Sequence, residues 1–399
     1  MAGPGAYCFG DEERKEVMDV LSSGHLSRYG SDKDVGFQLK VYTFEQEFAE
    51  YCGTNHAIAT SSGTGSLLIS LLAMGIGYGD EVLLPGYTFV ASIGSIIYTR
   101  ATPVLVEVDE SLTMDPADIE KKITKNTKAI MVVHMLGNPC KMHEILAIAK
   151  KHNLKVIEDA CQAAGGTYRG KRLGSLGDMA AFSLNRYKNI AVGDGGVIVT
   201  SNKEYYERAY AIHDQGHTPN RSGKDTTGIL VGLNFKMNEL AGAVALAQRR
   251  KLDGMLETLR QKKKELKDRI ADIPNMRFRE INDEGECGTI LTIIFDEKQK
   301  ADSVCERLGS QTLSHSGWHV YSNMRQIMEH KTPVEGWSEP SRYAQKGDLP
   351  RTDDILSRSM NISIGVVDGG LGAAFGVNIH SSQKEIAAAA SKFIEACKA

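Results

Sequence analysis

Between residues 55 and 200 the chain alternates short apolar runs with longer amphipathic stretches, and this alternation limits the possible folds more than any other feature. The runs are bounded by Gly, Pro or Asp and lack polar alternation, which is typical of strands buried on both faces. The stretches between them carry apolar residues at helical spacing. We predict an α/β domain in which helices cover a parallel-rich sheet. The predicted strands are 56–60, 81–85, 103–108, 129–135, 155–160, 180–184 and 196–200.

Further helices are predicted on both sides of this region. One covers 11–24 and ends at Gly24, where a glycine suits the left-handed conformation of a helix end. A second covers 43–53, with Thr43 and Gln46 spaced as a capping box. A long helix with a basic exposed face is predicted across 238–270.

The residue pattern in the last third of the chain predicts a smaller domain. A strand at 289–295 opens an α+β region that closes with a terminal helix. We therefore divide the chain into a large domain, 1–250, which includes the N-terminal helices, and a small α+β domain, 251–399. The polar stretches 215–230 and 330–354 are interpreted as mobile loops, where binding groups often lie.

Charge and composition exclude several classes of function. The 47 Lys and Arg residues nearly balance 50 Asp and Glu residues, so no basic field is available for nucleic acid or an anionic membrane. No apolar run approaches the ~20 residues of a membrane span, and no signal core opens the chain, so we expect a soluble, cytoplasmic protein. Seven scattered cysteines without a CxxC motif argue against a disulfide framework or structural zinc. The pair His213 and His217 has a glycine between its members, and we predict no metal site there.

The first motif with chemical content is HAIATSSGTGSLLIS at 56–70. A strand runs through small residues, including Gly63 and Thr64, into a helix, so several backbone N–H groups face the helix start. Such a start binds phosphate or another anion, although an ordinary turn capped by Ser and Thr has the same pattern. Because neither GK[ST] nor GxGxxG is present, the motif indicates a phosphate but no nucleotide.

The second motif is KVIEDACQAAGG at 155–166, in which Asp159 ends a predicted buried strand. Ligands gather at such strand ends in α/β sheets. Glu158 should point to the opposite face. A carboxylate there acts as a cap, forms an ion pair, or holds a proton on a cationic nitrogen of a ligand.

The third motif is AAFSLNRYKNIAVGDGGVIVT, which places Lys188 just past a strand and before a glycine-rich turn. A lone lysine is usually a surface residue, whereas a desolvated one becomes nucleophilic. A phosphate-binding helix start, Asp159 and Lys188 together meet the needs of pyridoxal 5′-phosphate. The lysine binds the cofactor covalently, and the aspartate keeps its ring nitrogen protonated.

The same motifs carry a family resemblance. The stretches TSSGTGS, PGYTFVAS, VIEDACQAAGG, SLNRYKN and LNFKMNELAGA resemble, in this order, the DegT/DnrJ/EryC1/StrS sugar aminotransferases, which are fold-type I pyridoxal-phosphate enzymes. The resemblance implies a homodimer with active sites shared between the subunits. It also implies a site in which Lys188 is the covalent and proton-transferring residue, Asp159 pairs with the ring nitrogen and Gln162 lies near the cofactor's 3′-oxygen. The other implied cofactor residues are Gly63, Thr64 and Ser183 at the phosphate, Phe89 stacked on the ring, and Asn234 at the phosphate of the neighbouring subunit.

The resemblance also implies the reaction. Family members that dehydrate their substrates have His at the position of Lys188, so the intact lysine favours transamination, with glutamate or glutamine as amino donor. Lys236 stands where most members have Arg. We name Arg28, Lys236 and His319 as candidate acceptor-binding residues.

Both ends of the chain bear on the acceptor. They resemble family members that aminate an 8-oxo sugar acid. The expected acceptor is therefore 8-oxo-3-deoxy-manno-octulosonate, which gives 8-amino-3,8-dideoxy-manno-octulosonate for lipopolysaccharide. The alternative is a nucleotide-linked 3-keto or 4-keto sugar.

Two other functions are weaker. A lyase such as a cysteine desulfurase needs a reactive cysteine near the lysine, and the sequence does not identify one. A non-catalytic cofactor-binding regulator would carry a DNA-binding module or lack the lysine.

Overall fold

The structure is a computed structural model that describes residues 2–30, 34–221, 230–334, 342 and 344–398. The strands in these residues are β1 (His56–Thr60), β2 (Glu81–Pro85), β3 (Thr102–Val106), β4 (Thr127–Val133), β5 (Lys155–Asp159), β6 (Thr167–Tyr168), β7 (Lys171–Arg172), β8 (Met179–Ser183), β9 (Gly196–Thr200), β10 (Met276–Phe278), β11 (Ile290–Phe295) and β12 (Ser359–Ser363). The α-helices are α1 (Pro4–Tyr7), α2 (Asp11–Ser23), α3 (Lys40–Cys52), α4 (Gly63–Ala73), α5 (Val90–Tyr98), α6 (Pro116–Lys122), α7 (Met142–His152), α8 (Lys203–His213), α9 (Glu239–Ile270), α10 (Lys298–Arg307), α11 (Arg325–Met328), α12 (Pro350–Ser357) and α13 (Gln383–Lys398).

A mixed, mostly parallel sheet forms the centre of the molecule. Its strand order is β1-β9-β8-β5-β4-β2-β3. The neighbours from β8 to β3 pair in parallel, while β9 is antiparallel to both β1 and β8. Within the described residues, the predicted strands therefore exist and share one sheet. The expected fold class, a parallel-rich sheet covered by helices, is confirmed.

Helices cover both faces of this sheet because its central strands are apolar on both faces. Leu83 and Val132 pack in one core with α3, α7 and α9. The adjacent residues Leu84 and Met131 pack in the other core with α4, α5 and α8. Successive side chains of a strand therefore point to opposite faces of the sheet, as the two-residue period of an extended chain requires.

The two predicted N-terminal helices have different outcomes. Helix α2 ends at Gly24, whose φ of 71° is the left-handed conformation that glycine adopts freely, so that prediction is confirmed. The capping box at Thr43 is wrong, because α3 begins three residues earlier at Lys40. The carboxylate of Glu239 accepts the N–H groups of Lys40 (2.7 Å) and Val41 (3.0 Å), so a residue distant in sequence caps the helix.

A smaller sheet, β10-β11-β12, follows the large one in sequence and is antiparallel throughout. Helix α9 runs across the predicted boundary between residues 250 and 251. The division into two domains remains a prediction.

Two further observations concern the predicted loops and the membrane. Much of the predicted loops 215–230 and 330–354 lies outside the described residues. Among the described helices, none combines the length and the apolar character that a bilayer span requires.

Candidate active site

A cavity of about 570 Å³ lies where the parallel strands of the large sheet have their carboxyl ends. This is the edge at which α/β sheets bind ligands, because the loops after parallel strands converge there. The predicted site residues that line the cavity are Gly63, Thr64, Phe89, Asp159, Gln162, Ser183, Lys188 and His319. Arg28, Asn234 and Lys236 are absent from its walls.

The start of α4 forms one end of the cavity. Ser62 caps the helix, since its Oγ accepts the N–H of Gly65 at 3.0 Å. The N–H groups of Gly63 and Thr64 have no acceptor within the described part of the chain, so they remain free for an anion. A Cβ on Gly63 would lie 2.6 Å from Ser183 Cβ, and only a glycine lets the helix start so close to the end of β8.

Asp159 ends β5 with its carboxylate in the wall of the cavity. The residue is 4% exposed. Its Oδ2 accepts the hydroxyl of Ser92 at 2.7 Å, and its Oδ1 accepts the N–H of Cys161 at 3.1 Å. These donors fix the direction of the carboxylate. Among the described wall residues, only Lys188 is a lysine or an arginine, so the carboxylate can still pair with a protonated ring nitrogen.

Lys188 follows a tight turn after β8. Its N–H binds the carbonyl of Asn185 at 3.0 Å, and its own carbonyl accepts the N–H of Gly5 at 3.1 Å. Burial lowers the pKa of the Lys188 amine, and the neighbouring Cys161, Asp159 and Asp368 partly oppose that shift. A lysine with a lowered pKa holds more of the free amine that acts as a nucleophile.

Gln162 lies beside the cavity in a defined orientation. Its Oε1 accepts the N–H of Leu136 at 2.9 Å. The amide nitrogen is therefore the group left to donate toward a ligand.

An aromatic wall faces these polar groups. The 40% exposed Phe89 ring lies 5.3 Å from the ring of His319. The segment holding His319 is anchored because Thr88 N–H and Val90 N–H bind the carbonyls of His319 and Trp318. Burial, reinforced by the charge of Lys188, lowers the pKa of His319 to about 3, so its ring is neutral at pH 7.

The structure corrects the expectation for Arg28. Both oxygens of Glu45 accept Arg28 Nη2 at 3.0 Å, and Nη1 lies 3.1 Å from His213 Nε2 and 3.4 Å from the carbonyl of Ala59. The pair is buried, with 4% and 8% of the two side chains exposed. Arg28 joins α3 to β1 inside the protein, and we withdraw its proposed role in acceptor binding.

Lys236 and Asn234 also lie outside the cavity. Lys236 Nζ is 3.0 Å from Asp214 Oδ1, so its charge is engaged within the chain. Asn234 is exposed. Its expected contact with the phosphate of a neighbouring subunit remains a prediction, as does an acceptor role for Lys236.

Several wall residues were not anticipated. Ser92 lies three residues after Phe89, one helical turn along α5. This helical spacing is the sequence signal that could have identified Ser92 as a wall residue. Asp194, Trp318 and Asp368 also line the cavity. No sequence pattern indicated Trp318 and Asp368, because they come from the C-terminal third and reach the wall only through tertiary packing.

The wall fits pyridoxal 5′-phosphate at each of its reactive positions. Unsatisfied N–H groups at the start of α4 suit the phosphate, and the Asp159 carboxylate suits the ring nitrogen. The Lys188 Nζ makes no hydrogen bond or ion pair in the residues that the structure covers, so this amine remains available to the aldehyde carbon.

Known proteins are similar to this chain in sequence and in fold. The model of the DegT/DnrJ/EryC1/StrS aminotransferase family matches residues 8–367. GDP-perosamine synthase of Caulobacter vibrioides is 43% identical over 242 residues, covering 60% of this chain and 62% of that relative. The dTDP-3-amino-3,4,6-trideoxy-alpha-D-glucose transaminase of Streptomyces venezuelae is 32% identical over 325 residues, covering 81% of each. The crystal structure of NtdA from Bacillus subtilis with bound cofactor PMP has a TM-score of 0.77 at 25% identity, covering 98% of this chain and 82% of that one.

Proposed function

The chain belongs to the DegT/DnrJ/EryC1/StrS aminotransferase family and is a sugar aminotransferase that uses pyridoxal 5′-phosphate, and we propose that its acceptor is a nucleotide-linked keto sugar. The observation that carries the catalytic assignment is the unpaired, buried amine of Lys188 in one cavity with Asp159. The names of two relatives, one GDP-linked and one dTDP-linked, support the acceptor class.

Each wall residue has a distinct part in this reaction. Pyridoxal 5′-phosphate, when bound, supplies an electron sink for the bond to the amine-bearing carbon. Lys188 would move a proton from that carbon to C4′ of the cofactor in the first half-reaction, and in the opposite direction in the second. Asp159 holds the proton on the ring nitrogen, and the N–H groups of Gly63 and Thr64 hold the phosphate. Glutamate gives up its amino group and leaves as 2-oxoglutarate, and the keto sugar accepts the same group.

The charge of the cavity wall also bears on the acceptor. Its described residues include Asp194 and Asp368, one lysine, Lys188, and no arginine. These groups can hydrogen-bond the hydroxyls of a sugar ring, whereas every anionic group, the carboxylates of glutamate included, needs a cation from outside the described wall. The expected octulosonate acceptor has no counterpart among the relatives described above and becomes one arm of the test.

We expect the acceptor to be identified by a panel assay on the purified holoenzyme. The three arms are a GDP-linked 4-keto sugar, a dTDP-linked 3-keto sugar and free 8-oxo-3-deoxy-manno-octulosonate, each with glutamate. Mass spectrometry should detect an amino sugar in a nucleotide-linked arm together with 2-oxoglutarate. Product in the free sugar acid arm alone would contradict the acceptor proposal while leaving the aminotransferase assignment in place.

A lysine pair supplies the matched control for this assay. Lys188→Ala should abolish product in every arm. Lys155→Ala should leave it intact, because Lys155 binds the carbonyl of Met74 at the opposite edge of the sheet. Turnover that survives Lys188→Ala would contradict the catalytic assignment.

We also propose a homodimer in which Asn234 completes the partner's site. Its exposed side chain outside the cavity supports this role. Lys188→Ala and Asn234→Ala should each be nearly inactive. Refolded together as an equal mixture, they should regain about a quarter of the wild-type activity, because half of the dimers then hold one intact site. No regain, with mixed dimers present, would contradict a shared site.

A further inference from the structure

A strained turn contributes Leu136 to the cavity wall. It comprises residues 134–137 after β4. Leu136 has a φ of 57°, a left-handed conformation that is uncommon for leucine and must be held by its surroundings. The N–H of this residue is the group that binds Gln162 Oε1 at 2.9 Å. The orientation of the Gln162 amide therefore depends on the orientation of the Leu136 peptide.

Arg279, just past β10, donates hydrogen bonds to two backbone carbonyls of this turn. Its Nη1 donates to the carbonyl of Met135 at 3.2 Å, and its Nη2 donates to the carbonyl of Leu136 at 3.1 Å. The residue is 3% exposed, and its guanidinium lies 3.7 Å from Glu286 Oε2. A buried guanidinium is costly unless it is paired and hydrogen-bonded, so these contacts fix its place.

A second contact from the same region ends the turn. Cys287 N–H donates to the carbonyl of Gly137 at 3.0 Å. Both contacts come from chain that follows α9, whereas Gln162 follows β5 in the large sheet. The turn thus links the smaller sheet to the cofactor wall.

We propose that Arg279 is a positioning residue for the transamination. By fixing the Leu136 peptide, it makes Gln162 Oε1 the acceptor of that N–H, so that Gln162 Nε2 is presented to the cofactor's 3′-oxygen. A donor at this oxygen stabilises its ionised form and lowers the basicity of the nitrogen bonded to Lys188. The proposal rests on the cofactor occupying this cavity as the proposed function requires.

The test follows the yellow chromophore of the holoenzyme as the pH rises. Gln162→Met removes the donor and should raise the pH midpoint of the colour change by about one unit. Arg279→Met should also raise this pH midpoint. The double variant should show no further shift, since both substitutions act through one hydrogen bond. Arg279→Lys, which keeps the buried charge but has one nitrogen for two carbonyls, should lie between wild type and Arg279→Met.

Arg358→Met is the matched control. Arg358 donates to the carbonyl of Phe295 at 2.7 Å beside the smaller sheet and lies outside the cavity wall. Its loss should leave the pH midpoint unchanged. If Arg279→Met does not fold, Arg279→Lys decides the question by its own midpoint.

Three results would overturn the proposal. A wild-type midpoint in folded Arg279 variants would show that Arg279 does not orient Gln162. Additive shifts in the double variant would show that the two residues act separately. Absence of a yellow chromophore in the wild type would remove the cofactor from the cavity, a failure that also contradicts the proposed function and differs from the other two.

Discussion

Gly63→Ala should weaken cofactor binding because the added methyl group has no room. Its Cβ would lie 2.6 Å from Ser183 Cβ and 2.9 Å from Ser183 Cα, about 1 Å closer than the ~3.5–4.0 Å of a normal carbon contact. Gly63 opens α4 and Ser183 ends β8, so neither atom can move without its backbone. Relief of the clash must shift the helix start, and with it the N–H groups expected at the phosphate.

The size of the effect follows from overpacking, which costs about 1–3 kcal/mol. Since about 1.4 kcal/mol is a factor of ten, the Kd for pyridoxal 5′-phosphate should rise about 5- to 140-fold. The assay is an absorbance titration of apoprotein with the cofactor.

The control for this titration is Gly94→Ala in α5, where an added Cβ meets nothing within 4 Å. Its Kd should stay within about a factor of two of the wild type, since alanine favours a helix over glycine. A wild-type Kd in a folded Gly63→Ala protein would refute the placement of the phosphate at this helix start.

Three further substitutions test other parts of the structure. Arg28→Met should lower the free energy of unfolding in urea by about 3–5 kcal/mol, because it leaves a buried Glu45 unpaired. Adding Glu45→Met to the Arg28→Met protein should recover part of this loss. A raised KM in an Arg28→Met protein of wild-type stability would contradict the structural role of Arg28. Burial depresses the pKa of His319 to about 3, so the unfolded chain takes up a proton below about pH 6.5 that the folded chain does not, and stability falls there by up to about 1.4 kcal/mol per pH unit. His319→Gln should flatten the urea unfolding profile between about pH 6.5 and 5, and an unchanged slope would show that the ring is protonated in the folded state. Glu239→Ala should speed hydrogen exchange in the first turn of α3 and cost about 1–2 kcal/mol, a typical value for a lost cap; unchanged exchange would show that another group caps the helix.

The strands could be predicted closely because their signal is local. The runs 56–60, 81–85 and 196–200 match β1, β2 and β9 at both ends, since turn residues and apolar composition lie within the same few residues. The wall residues expected at the cofactor came from the motifs and from the family resemblance, and each lies at or just after the carboxyl end of a predicted strand, where these ends meet one edge of the sheet.

What could not be predicted depends on partners distant in sequence. The start of α3 is set by Glu239, about two hundred residues away, so Thr43 and Gln46 satisfied a local rule that the fold overrides. Arg28 looked like an acceptor ligand because its partner, Glu45, is identified only once α3 packs beside β1. Neither pairing leaves a pattern in the sequence.

The central claim is that Lys188 is the amine that holds the cofactor. Borohydride reduction of the yellow holoenzyme, followed by proteolysis and mass spectrometry, tests it most directly, because reduction makes the bond between lysine and cofactor permanent. We predict a single phosphopyridoxyl group on the peptide that contains Lys188, and none after prior treatment with excess glutamate. A label on another lysine, or no label on a protein that remains yellow, would contradict the assignment.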